Sequence, residues 1–247
     1  MKKIVAFIIL ILVSCEKPSD CVETTGAIIT KDFTVTPFTK IDIDKGVEVV
    51  ITEGPEYKLQ IKIGENQLNN IVINQDATTL FIKDNTTCNW IRDYGLTIAY
   101  ITAPNLEEIY SKTERNISSN GVLSYPNLKV VAVDKNGDGR NGAGTGDFYL
   151  QLDSNKFEIQ INSMSRHYIS GKTNEFQVGI YNGDGRIEAQ NFVAKNIGIY
   201  HRGSNDIIVF PTESIKGKMV STGNTILKNN PPVIAVEQLY QGVLIYN

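Results

Sequence analysis

From Asp147 to Thr225 the chain repeats itself in steps of about twenty residues. The runs Phe157–Ile161, Phe176–Ile180, Ile197–Ile199 and Ile215–Met219 alternate apolar and polar residues. Their middle positions, Ile159, Val178, Ile197 and Gly217, lie 19, 19 and 20 residues apart. A short polar turn follows each run: 162–165, 182–185, 201–205 and 221–224. A second series of apolar starts, at Phe148, Tyr168, Ile187, Ile207 and Ile226, keeps spacings of 20, 19, 20 and 19.

A step this short leaves no room for a strand, a helix and their loops. It fits two or three short strands separated by corners. Alternation gives each strand one buried and one wet face. A lone step cannot bury its inward face, so its neighbours must supply the core. The pattern therefore predicts an all-β chain: a right-handed parallel β-helix, a solenoid of rungs about twenty residues long. Elsewhere Val, Ile, Thr, Tyr and Phe alternate with polar residues, and helical periodicity is hard to find.

The first fifteen residues read as a targeting segment. Lys2 and Lys3 precede the apolar run Ile4–Val13, which is short for a membrane span. It ends in Leu12-Val13-Ser14-Cys15, which resembles a bacterial lipobox. In such signals the cysteine becomes the first mature residue and is acylated, so Cys15 is the expected lipidation site and the membrane a partner through that anchor. Residues 16–24 then form a polar tether, and residues 25–247 a single β-helix domain.

Setting aside Lys2 and Lys3 leaves 22 basic against 27 acidic residues, a formal charge of −5. With no basic stripe, nucleic acid is excluded as a partner. Once Cys15 is acylated, Cys21 and Cys88 remain. Outside the inner membrane the surroundings are oxidising, so the pair reads as a disulfide tying the N-terminal arm to the first coils. Two free thiols are the alternative. The only histidines, His167 and His201, lie near corners without a catalytic motif and read as surface residues.

Several short motifs carry a family resemblance. They are Pro37-Phe38-x-x-Ile41, Gly54-x-x-Tyr57, Gly64-Glu65-Asn66-x-Leu68-x-x-Ile71, Cys88-Asn89-Trp90 and Ala103-Pro104-Asn105-Leu106. Together, over residues 20–247, they resemble the head GIN domain family, named for auto-transporter adhesins and found mostly as lipoproteins of Bacteroidetes-type bacteria. The resemblance implies a β-helical, envelope-anchored protein of the outer membrane. It implies no catalytic residues.

Three groups of residues are candidates for chemistry. Asp134-x-Asn136-x-Asp138-Gly139 matches the first half of a calcium loop, with oxygen ligands at alternate positions and a glycine for the turn. Its twelfth position is Thr145 rather than a bidentate Glu, so weak calcium binding competes with a plain Gly/Asn corner loop; no other cofactor is expected. Asp147, Arg166, Arg186, Asp206 and Thr225 recur once per rung and predict a largely charged column. It is either a ladder of exposed Asp147–Arg166 and Arg186–Asp206 pairs or a site for an acidic glycan. Tyr181 and Tyr200 end successive strands and offer aromatic faces, either stacked on each other or open to a sugar ring. The expected function is adhesin-like, non-enzymatic binding of glycan or surface protein along a rigid face. A carbohydrate-active enzyme on an acidic polysaccharide, or a purely structural envelope protein, is the alternative.

Overall fold

The computed structural model describes residues 23–86, 97–133 and 144–246. Among them the chain forms seventeen strands in one mixed sheet and a single 3-10 segment, Glu65–Asn70. The short strands of the first half are β1 (Ile28–Phe33), β2 (Lys40–Ile43), β3 (Glu48–Glu53), β4 (Lys58–Gly64), β5 (Ile71–Gln75) and β6 (Thr79–Asp84). There follow β7 (Ile98–Ala103), β8 (Glu108–Ser111), β9 (Ile117–Leu123) and β10 (Asn127–Ala132). Four long strands come next: β11 (Phe148–Ile161), β12 (Arg166–Ile180), β13 (Arg186–His201) and β14 (Ile207–Met219). The last are β15 (Thr225–Leu227), β16 (Val233–Gln238) and β17 (Leu244–Tyr246).

The long strands explain the repeat. The first half of β11 lies beside β9 and its second half beside β10, all parallel. Strands β12, β13 and β14 continue in parallel from it, and β14 hands its two halves on to β15 and β16. Each rung thus adds one strand segment to each of two stacks, joined by the polar turn on one side and a bend within the long strand on the other. Inward side chains form files along the stack: Phe157–Phe176–Ile197–Ile215 in one, Ile159–Val178–Ile199–Gly217 in the next. The bulky members are almost completely buried. Each fully buried side chain of this size contributes roughly 1.5–3 kcal/mol, offset by the entropy of ordering the chain.

Three expectations need correction. The sheet is not purely parallel, because β1–β4, β4–β7 and β5–β6 pair antiparallel. Strands β5 and β6 are joined through a three-residue turn, and a link that short can only return antiparallel. The Asp76 carboxylate holds that turn by accepting the backbone N–H of Thr78 and Thr79 at 3.1 and 2.8 Å.

Coil order also departs from chain order. Strand β2 lies between β6 and β8, and β3 between β7 and β9, so the first coil is sandwiched between later ones. Finally, the central file runs through Ile199 and not Ile197. Strand β13 carries extra residues where its register with β12 slips between Tyr168 and Ser170, and with β14 between Ala189 and Val193, the latter slip recovering by one residue between Ala194 and Asn196. Val178 and Ile199 are therefore 21 positions apart, and Ile199 and Gly217 are 18. The second predicted series is split between two files, ahead of those slips. Phe148, His167, Ile187, Ile207 and Thr225 form an inward file, while Tyr149, Tyr168, Glu188, Ile208 and Ile226 form its outward neighbour.

Candidate functional site

The charged column lies along the polar turns, where each rung passes from one stack to the other. Its members touch, but only one of the two expected pairs forms. Asp147 Oδ1 accepts the backbone N–H of Arg166 at 2.9 Å, while the Arg166 guanidinium donates to the Asp184 carbonyl at 3.0 Å and pairs with the Asp184 carboxylate at 3.5 Å. The expected Asp147–Arg166 ion pair is thus replaced by a backbone bond, because Asp184 on the next rung is the nearer carboxylate for the guanidinium.

Arg186 does pair with Asp206, at 2.8 Å, and also holds Glu188 and Asn205 Oδ1. Asn224 extends the chain by donating to Asp206 Oδ1. The Ser204 hydroxyl, together with Asn205 and Arg166, holds the Asp184 carboxyl below its ordinary value, against the opposing effect of burial. The column is a hydrogen-bonded ladder in which Asp184, Arg186 and Asp206 each bridge neighbouring rungs. Its charges are engaged by one another, which leaves little to polarise a substrate.

Tyr181 and Tyr200 sit on the outer face of the first stack. Their ring centroids are 5.7 Å apart and tilted by 34°. Tyr200 stands opposite Gly179 in the sheet, and the Tyr181 ring lies across Gly179, where a β-carbon would come within 2.8 Å of it. Gly179 and Gly198 line a hollow of about 530 Å³ beside the two rings, the room over Gly198 being taken by the Gln177 side chain, and Gln160 and Lys216 also stand on its walls. A second hollow of about 380 Å³, reaching Asn105 and Lys129, shares Lys156 and Glu158 with the first, so the two form a trough along the stack. Sequence reasoning found the tyrosines but not the glycines that make room beside them. The outward Gly positions in otherwise alternating strands were the signal.

Both histidines are buried, contrary to the expectation that they lie on the surface. His167 belongs to the inward file and stacks on Phe148 at 4.5 Å, with Nε2 3.0 Å from Ser165 Oγ. Burial pushes its pKa down to about 3. His201 Nδ1 accepts the N–H of Gly203 at 3.2 Å, and burial again lowers the pKa. Asp134, Asn136 and Asp138 lie outside the described residues, as do Cys15, Cys21 and Cys88. Among the described residues no three His, Cys, Asp or Glu side chains gather as metal ligands, and no helix is long and apolar enough to cross a membrane.

Fold and surface together define a protein of stacked β-strands that presents a long, rigid, aromatic-flanked trough. The profile of the family "Putative auto-transporter adhesin, head GIN domain" matches residues 37–231, and the chain belongs to that family. Solved structures agree in fold. A putative adhesin from Bacteroides fragilis superposes with a TM-score of 0.81 at 22% identity, over 91% of this chain and 100% of that one. A putative adhesin from Parabacteroides merdae gives 0.66 at 19% identity, over 93% and 100%. One from Parabacteroides distasonis gives 0.61 at 15% identity, over 91% and 99%. No curated protein matches the sequence.

Proposed function

We propose that the protein is a non-enzymatic lipoprotein of the cell envelope that binds glycan or surface protein along one face of a right-handed parallel β-helix. The observation that carries this reading is the trough beside Tyr181 and Tyr200. Its walls combine aromatic rings, amides and lysines on a scaffold of paired strands, so little conformational freedom is lost on binding. Membership in an adhesin family supports the same reading. The alternative of catalysis on an acidic polysaccharide draws no support from the charged column, whose side chains already bind one another.

Cys15 as an acylated first residue, a Cys21–Cys88 disulfide and residence in the outer membrane complete the proposal. Each buried methylene of an acyl chain stabilises membrane attachment by about 0.8 kcal/mol, so more than one chain holds the protein firmly.

A glycan array and a panel of immobilised surface proteins, probed with the purified protein, test the binding. We expect at least one ligand, with affinity falling about tenfold in Tyr181→Ala or Tyr200→Ala. Silence on both panels removes the adhesin reading. Fractionation of cells carrying Cys15→Ala tests the anchor: the variant leaves the membrane pellet, and mass spectrometry finds no acylated N-terminus.

A further inference from the structure

The face formed by the second stack carries another aromatic pair, which sequence spacing did not single out. Tyr149 and Tyr168 stand opposite each other on β11 and β12. Their rings stack at 4.8 Å and 8°, and they are 43% and 39% exposed. The sheet is irregular on both flanks of this pair. On one side β9 is out of register with β11 between Ser118 and Val122, so that Ser119, Asn120 and Gly121 face a single residue of β11. On the other, β13 bulges against β12 between Glu188 and Asn191. Bulges interrupt pairing and re-aim side chains, and they gather beside functional sites.

Here they leave a hollow of about 390 Å³ over the two rings. Across from Tyr149 stands only the small Ser118, and nothing lies within 4 Å of the place where Gly121 would carry a β-carbon. The space over the free face of the Tyr149 ring is open to a flat ligand. Around it, the side chains of Gln151, Ser170, Gln190 and Asn191 are exposed or half-buried and make no hydrogen bond among the described residues.

We propose that this hollow is a second binding site, and that its ligand is a neutral glycan. A tyrosine face receives the C–H face of a pyranose ring, and free amides bond the equatorial hydroxyls. The choice of a neutral sugar follows from charge. Glu188 is the one acidic side chain lining the hollow, and Arg186 holds it at 2.5 Å. No lysine or arginine lines the hollow to meet a carboxylate or sulfate. The trough on the other face, by contrast, has Lys156 and Lys216. This site extends the binding-protein reading to a separate face, and the two are tested separately.

Saturation-transfer NMR on the full chain, with neutral gluco-, manno- and galacto-hexasaccharides and with oligogalacturonate, decides it. We expect at least one neutral hexasaccharide to bind. Its affinity falls about tenfold in Tyr149→Ala and in the double variant Gln190→Ala/Asn191→Ala, and stays within about twofold in Tyr149→Phe and Tyr181→Ala. The double variant alters only exposed side chains, so it reports even if Tyr149→Ala fails to fold. The site is refuted if no neutral hexasaccharide binds, if oligogalacturonate alone binds, or if binding survives in the double variant. Loss of all binding in Tyr181→Ala alone also refutes it, while leaving the trough on the other face as the protein's site.

Discussion

His167 stands between Phe148 and Ile187 in an inward file whose two neighbouring members are apolar. An imidazole there is tolerated because its flat ring stacks on Phe148 and its Nε2 meets the Ser165 hydroxyl, which in turn meets Ser163 at 3.1 Å. It is tolerated only uncharged, since burial penalises the imidazolium. The consequence for stability has a definite sign. Folded His167 titrates at about 3, against an ordinary 6.5 in the unfolded chain. Between those values the unfolded chain binds a proton that the folded chain refuses, so stability falls as pH drops from 6.5 towards 3. It is fully present above 6.5. The slope for one such group is roughly 1.4 kcal/mol per pH unit. Urea unfolding at a series of pH values should show this loss, and His167→Phe, which continues the ring stack, should flatten the slope. An unchanged slope in that variant would mean that other groups govern acid sensitivity. Sequence reading places this histidine outside because it lies near a corner and belongs to no catalytic motif. Only the register shows that the first residue after Arg166 already points inward.

At the scale of elements, β13 shows what an average period conceals. From Val178 to Gly217 the chain advances 39 residues, and two even rungs predict a midpoint at Ile197. The true midpoint is Ile199, because one slip against β12 is offset by an opposite slip against β14. Two errors that cancel leave the spacing intact, so the all-β class and the stacking period were legible while the local register was not. The antiparallel strands at the start were hidden for a different reason. Alternation declares a strand and its wet face, but not its direction.

The residues gained in the bulge are put to use. Phe192 turns inward and meets Phe157 and Phe176 edge-on at 5.8 and 5.2 Å, while those two stack on each other at 5.5 Å. Truncating a ring so enclosed removes its burial and leaves a cavity. Phe192→Ala should therefore cost about 3–5 kcal/mol in urea unfolding. Val193→Ala, next along the chain but facing out, should stay within about 0.5 kcal/mol. Equal costs for the two would mean that the bulge is not packed as described. The same irregularity that turns Phe192 in turns Gln190 and Asn191 out, so core and surface hollow arise from one insertion.

Taken whole, the stack has two unlike ends. At the beginning, antiparallel β1, β4 and β5 lie against the parallel coils and close off β7 and β6. At the other end β16 and β17 pair on one side only among the described residues. Their inward files show the difference. Phe176, Ile197 and Ile215 are at most 2% exposed, yet the next member, Ile234, is 37% exposed. Leu227 is fully buried, and its successor Tyr246 is 54% exposed. In stacked strands each rung is held by its neighbours, so a rung with one neighbour has about half the stabilising interface of one with two. Local opening should then begin at this end and move inward. Hydrogen exchange followed by mass spectrometry should find the amides of β16 and β17 exchanging first, those of β15 next, and those of β12 and β13 last. Uniform exchange from end to end would show that the molecule opens only as a unit. The graded outcome has a functional meaning. Tyr149, Tyr168, Tyr181 and Tyr200 all lie on β11 to β13 or at their ends, away from the end that frays, so both proposed binding faces rest on the best-supported rungs of the stack.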